Sequence, residues 1–103
     1  MSRIGLITRI TAAEGKRDEL LAALQLVLDE VHKEPGTLVY TFNVDQQNPS
    51  LVWTYQMFES AEAFEDHRNN GPRRAALEKA VPLIAGNPEL IRIEPFAGKG
   101  WPK

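Results

Sequence analysis

The chain contains no cysteine. That excludes a disulfide scaffold, a thiolate zinc site, an iron–sulfur cluster and a cysteine nucleophile, and it fits a reducing compartment. Long apolar runs are missing too. None approaches the ~18–20 residues of a membrane-spanning helix, and the opening stretch, Met1 to Arg9, is broken by Arg9 and lacks the apolar core of a signal peptide. The chain is therefore expected to be an intact cytoplasmic protein with no membrane partner. A basic excess is absent as well: 12 Lys and Arg stand against 14 Asp and Glu, for a net charge of −2. Phosphate backbones need the opposite balance, so no nucleic-acid partner is expected. No Gly-x-Gly-x-x-Gly, Walker or Gly-x-Ser-x-Gly motif occurs, and no nucleotide cofactor is expected. Histidine is scarce: His32 and His67 fall on different expected helices, and neither has metal-ligand spacing. Glu30 and His32, two apart, point away from each other on a helix, so no metal site is expected.

What is present is one ordinary domain. The 103 residues are 43% hydrophobic and 25% charged, close to the globular average. Alternating apolar residues predict a strand over Ile4 to Ile10, with Leu6 and Ile10 on one face and Ile7 on the other. Leu20, Leu24, Val27 and Val31 recur with helical spacing, and Glu34-Pro35-Gly36 stops that helix. Two strands, Thr37 to Val44 and Leu51 to Phe58, flank the turn-rich Asp45 to Ser50 as a hairpin. Ser60 is a good N-cap for a helix carrying Ala63, Phe64 and His67. Asn69-Asn70-Gly71-Pro72 breaks it and opens another helix, which Pro82 kinks or ends. A last strand is predicted over Glu89 to Phe96. Residues 1–97 read as the single domain, and 98–103 as a flexible tail containing Trp101.

The order β-α-β-β-α(α)-β is the split βαβ pattern of an α+β, ferredoxin-like sandwich: an antiparallel sheet with helices on one face. RNA-recognition modules share this order, but the third strand here, Leu51 to Phe58, has neither the glycine nor the basic residue of their signature. The strands that include Ile4, Ile7, Val39, Trp53, Ile91 and Ile93 are apolar on both sides, so the sheet's second face carries large apolar residues too. Soluble monomers avoid such patches, so a homodimer formed by sheet-to-sheet packing is expected. His67, on the apolar side of its helix, is either a hydrogen-bonded packing histidine or a near-neutral acid–base group over a pocket. Tyr40, Trp53 and Tyr55 read either as ordinary sheet aromatics or as groups that orient a ligand. Gln56, a polar side chain in mid-strand, is expected to be exposed to solvent.

The run Glu34-Pro35-Gly36-Thr37-Leu38-Val39-Tyr40, the later Asn48-Pro49, and Phe58-Glu59-Ser60-Ala61-Glu62-Ala63-Phe64-Glu65-Asp66-His67 together resemble the antibiotic biosynthesis monooxygenase domain family. The likeness covers nearly the whole chain and includes small quinol monooxygenases. It implies a dimeric α+β barrel that oxidises a small phenolic or quinol ligand with O₂ and without metal or flavin. Other members of the wider superfamily are cofactor-free isomerases, and a non-catalytic small-molecule-binding or stress-response dimer on the same scaffold is a further alternative. The resemblance makes His67 the catalytic base or its relay, Tyr40, Trp53 and Tyr55 pocket residues, and Gln56 and Asn43 weaker pocket candidates. Two positions depart from the pattern: many members carry Glu where this chain has Gln56, and Trp where it has Phe58.

Overall fold

The structure, a computed structural model, describes residues 2–102; Met1 and Lys103, the outer ends of the expected domain and tail, lie outside the described residues. The chain runs β1 (Ile4–Thr11), α1 (Arg17–Val31), β2 (Thr37–Val44), β3 (Leu51–Phe58), α2 (Ala61–Arg68), α3 (Gly71–Ala80), a 3₁₀ turn (Val81–Leu83) and β4 (Glu89–Ile93). The strands form one antiparallel sheet in the order β2-β3-β1-β4. This is the expected ferredoxin-like α+β sandwich. The sheet is open within the chain, with β2 and β4 at its edges, so no barrel closes in a single copy.

Local chemistry accounts for the element boundaries. Gly15 turns into α1 at φ +72°, a left-handed conformation that side chains resist. The Ser60 hydroxyl accepts from the Ala63 amide at 3.1 Å and starts α2. Asn70 caps α3 in the same way, accepting from the Arg73 amide at 3.1 Å. Pro82 sits inside the 3₁₀ turn that ends α3. One strand is shorter than expected: β4 stops at Ile93, opposite Gly5, near the start of β1. Pro95 then offers no N–H to continue the ladder, and Phe96 is 97% exposed. In the expected tail, an added Cβ on Gly98 would stand 2.7 Å from the Trp101 indole, so that ring lies back over its own chain.

Period-two alternation on the sheet's inner face positions the site. Ile10 and Val52 are paired, and they pack with Leu20, Leu24, Val27 and Val31 of α1 in the larger apolar cluster. Each such side chain, fully buried, contributes about 1.5–3 kcal/mol. At the other end Leu6, Phe58, Ala63 and Phe64 form a second cluster, which docks α2. Between the two, the inner face is polar: Thr8 lies opposite Thr54, and Leu6 opposite Gln56. A polar belt between two apolar clusters leaves room there, and that room is the site.

Candidate active site

A cavity of about 310 Å³ lies between the inner face of the sheet and the helices. Leu6, Leu24, Val27, Phe42, Phe64 and Leu77 supply apolar wall, while Thr8, Thr54 and Gln56 supply the polar floor and Tyr40, His67 and Arg73 a second polar group. The floor is a ladder of hydrogen bonds. The Thr8 and Thr54 hydroxyls are 2.5 Å apart, and the Gln56 Nε2 donates to Thr54 Oγ1 at 3.0 Å. Gln56 Oε1 is buried and has no partner among the described residues. Gln56 is only 4% exposed, which corrects the expectation that it faces water: its place in the alternation puts it on the helix-covered face.

His67 does not stand alone. Its Nδ1 lies 2.8 Å and 3.1 Å from the two carboxylate oxygens of Glu34, 33 positions away in sequence. The same carboxylate accepts from Thr37 Oγ1 at 2.6 Å and from Asn70 Nδ2 at 2.7 Å. The side chains of His67 and Glu34 are 6% and 10% exposed, so little water competes for these bonds. Burial alone would raise the Glu34 carboxyl, but the donors Thr37, His67 and Asn70 outweigh it and hold the group below the usual carboxylate range. An ionised carboxylate only accepts, so His67 Nδ1 carries the proton. Burial pushes the His67 imidazole down, Glu34 pulls it back up, and the neighbouring Arg73 charge adds to the downward push; the net shift is downward. At pH 7 the ring is therefore neutral, with its lone pair on Nε2, and Nε2 has no hydrogen-bond partner among the described residues. A neutral imidazole, oriented by a carboxylate at a cavity wall and held in one tautomer, has the protonation and orientation that a general base requires.

The surrounding rings fix the imidazole. Phe58 and Tyr40 lie 4.9 Å and 5.5 Å from it, centroid to centroid. Burial pushes the Tyr40 hydroxyl up to about 12, so it stays protonated as a donor. The Glu34-Pro35-Gly36 turn brings the carboxylate in. Gly36 is needed there for close approach, since a Cβ on it would stand 2.5 Å from the Ala63 Cβ on α2.

The structure thus brings Tyr40, Gln56 and His67 to one cavity and places the remaining candidates elsewhere. Trp53, Tyr55 and Asn43 do not line the cavity. They share the outer face of the sheet, because alternation sends odd-numbered residues of β2 and β3 away from Tyr40 and Gln56. Trp53 Nε1 donates to Asp45 Oδ2 at 2.9 Å and pins the hairpin loop, and Asn43 Nδ2 donates to the Trp53 carbonyl at 3.2 Å. Glu34 and Arg73 were not legible as site residues. Glu34 reads as a helix stop, and the quoted Glu-Pro-Gly run is the only signal that could have marked it; Arg73 reads as one charge in a basic pair.

Comparison with known proteins places the fold and the family. The profile of the family described as antibiotic biosynthesis monooxygenase matches residues 3–79. A solved structure of a proposed antibiotic biosynthesis monooxygenase from Chloroflexus aurantiacus J-10-fl superposes with a TM-score of 0.84 at 29% identity, covering 98% of this chain and all of that one. Two others share the fold at lower identity. A proposed monooxygenase of the same kind from Caulobacter crescentus CB15 has a TM-score of 0.88 at 21%, covering 93% of this chain and 92% of its own. The protein PA3566 from Pseudomonas aeruginosa has 0.82 at 23%, covering 94% and 97%. A search of curated proteins finds no sequence match. With a family profile spanning most of its length, the chain belongs to the antibiotic biosynthesis monooxygenase family.

Proposed function

We propose that the protein oxidises a small phenolic or quinol substrate with O₂, without a metal or organic cofactor, and that His67 is the base. The observation that carries this reading is the Glu34–His67 pair at the wall of a largely apolar cavity. Ground-state O₂ reacts slowly with neutral closed-shell organics, but an electron-rich phenolate can reduce it directly. The chain need only bind the ring, take its proton and exclude bulk water.

For a phenol with a free para carbon the steps balance as follows. His67 Nε2 takes the phenolic proton, and Glu34 stabilises the imidazolium. The phenolate passes one electron to O₂, giving a phenoxyl radical and superoxide. These combine at the para carbon and, with a proton, form a hydroperoxide. Loss of the proton on that carbon and cleavage of the O–O bond then yield a quinone and water. One O₂ is consumed for each quinone formed.

The test is O₂ uptake over a panel of phenols and quinols, run with chelator, catalase and a protein-free blank, because these compounds oxidise spontaneously. The expected result is protein-dependent uptake. Uptake equal to the blank while the compounds still bind would replace this reading with a binding protein, and conversion without O₂ consumption would replace it with an isomerase.

We also propose that the working unit is a homodimer. Ile91 and Ile93 on the outer face of the edge strand β4, with Phe96 beyond it, are exposed large apolar residues, and a second copy would cover them. A stable obligate interface buries on the order of 2,000 Å² or more. Sedimentation at micromolar and nanomolar concentration tests this, and a natively folded monomer throughout that range would refute it.

A further inference from the structure

The cavity holds a buried positive charge that the base chemistry above does not use. Arg73 is 9% exposed and lines the cavity from the first turn of α3. Its Nε donates to the His67 carbonyl at 3.0 Å, which fixes the guanidinium beside the imidazole. Neither terminal nitrogen has a hydrogen-bond partner among the described residues, and each keeps some access to solvent. No carboxylate forms an ion pair with Arg73 among the described residues. The nearby carboxylate, Glu34, already accepts from Thr37, His67 and Asn70 and makes no hydrogen bond to Arg73. A buried guanidinium left unpaired is costly, and an oxyanion is its natural complement.

The other groups around it agree. Tyr40 remains a protonated donor, and Gln56 has one amide atom unpaired whichever way its amide is turned, because the other is engaged by Thr54. Arg68 also lines the cavity, but it is exposed and paired with Glu65. The fixed charges of the site are therefore the Glu34–His67 pair, carrying one negative charge, and Arg73, carrying one positive charge. Once His67 takes a proton, that pair is neutral overall, and Arg73 is left to balance an anionic ligand.

We infer that Arg73 is the anion anchor of the cavity: the ligand is held through a negatively charged oxygen, phenolate or carboxylate, at the terminal guanidinium nitrogens. This rests on the reading that the cavity takes a phenolic ligand, and it adds that the ligand binds ionised.

The probe is 4-nitrophenol, whose ionised form has its own visible absorption. Bound to the wild-type protein, it should ionise at a pH lower than in free solution by roughly 1–3 units, as an opposite charge within a few ångströms requires. Its neutral methyl ether should bind at least about tenfold more weakly, a difference of about 1.4 kcal/mol. Arg73→Lys should keep most of the shift, Arg73→Met should abolish it, and Arg68→Met should leave it in place. Benzoate as competitor separates the two sources: displacement of nitrophenolate by benzoate but not benzamide shows that a carboxylate also serves, and no displacement restricts the anchor to phenolate. The inference is overturned if 4-nitrophenol does not bind, if it binds with an unshifted midpoint, or if the methyl ether binds equally well. These wild-type readings hold even if Arg73→Met fails to fold. A missing shift alongside real O₂ uptake would sink the anchor and leave the oxygenase reading standing; a shift without uptake would do the reverse.

Discussion

Replacing Glu34 by Gln separates the structural work of this carboxylate from the part proposed for it in setting the base. The amide nearly matches the carboxylate in shape but turns one acceptor into a donor. Asn70 cannot adapt, because its Oδ1 is held by the Arg73 amide as the cap of α3, so Nδ2 must still donate. The new oxygen therefore faces Asn70, and the new NH₂ faces Thr37 and His67. The Thr37 hydroxyl can rotate to accept. The nearer atom, 2.8 Å from His67 Nδ1, is now an N–H donor, which Nδ1 can accept only by moving its proton to Nε2; the retained oxygen at 3.1 Å is the longer, weaker alternative. Every polar group stays satisfied, but bonds that were charge-assisted become neutral. A charged hydrogen bond is worth roughly 1.5–3 kcal/mol and a neutral one roughly 0.5–1.5. With partial compensation, Glu34→Gln should cost about 1–3 kcal/mol in urea unfolding at pH 7. The effect on turnover should be far larger, roughly 10²–10⁴-fold, because Nε2, the ring nitrogen not engaged by Glu34, has lost its lone pair. Nitrogen NMR of the histidine ring reads the tautomer directly. Wild type should carry its proton on Nδ1 and the variant on Nε2. A variant with the wild-type tautomer, or with full activity despite the switched one, would refute the assignment of Glu34 as the group that sets the base.

Four further outcomes rest on the same geometry. Gln56→Met removes an unpaired buried acceptor, so the variant should be more stable by about 1 kcal/mol in urea unfolding while binding phenols less tightly; lower stability would mean that the amide is satisfied. Gly36→Ala drives a methyl into Ala63 of α2 and should cost about 1–3 kcal/mol, measured as a lower unfolding midpoint; an unchanged midpoint would show that the turn and α2 separate freely. In pH-dependent unfolding, Tyr40 ionises near 10 when unfolded but near 12 when folded, so its contribution is present below pH 10 and fades as pH rises toward 12; Tyr40→Phe should remove that alkaline slope. At the acid end, His67 and Glu34 both sit below their ordinary values of 6.5 and 4.5, so stability should fall as pH drops through those values.

The elements were legible because burial in a small sandwich obeys simple periods. Leu20, Leu24, Val27 and Val31 trace a helix face, and Val52 to Phe58 alternate across a sheet, whatever the chain does. The site was legible only in part. His67 was singled out because a titratable ring on an apolar helix face is unusual. Glu34 was not, since a carboxylate before Pro-Gly reads as the end of a helix and nothing local says that it meets a ring on a later one. Gln56 reads as exposed only if its polarity outweighs its place in the alternation, which puts it with Val52, Thr54 and Phe58 on the covered face. The same alternation separates Trp53 and Tyr55 from it, although all three lie within four positions of β3. Sheet sidedness outranks sequence proximity.

The central claim is that a histidine base, without a cofactor, hands an activated ring to O₂. It is tested most directly by the mass of the product formed under isotopically labelled O₂ with chelator present, in wild type and in His67→Ala. The expected result is a quinone carrying one new oxygen atom, derived from O₂, formed roughly 10²–10⁴-fold more slowly by the variant at comparable stability. Product no faster than the protein-free blank, or new oxygen that comes from water, would contradict the oxygenase; labelled product formed equally fast by His67→Ala would contradict the base.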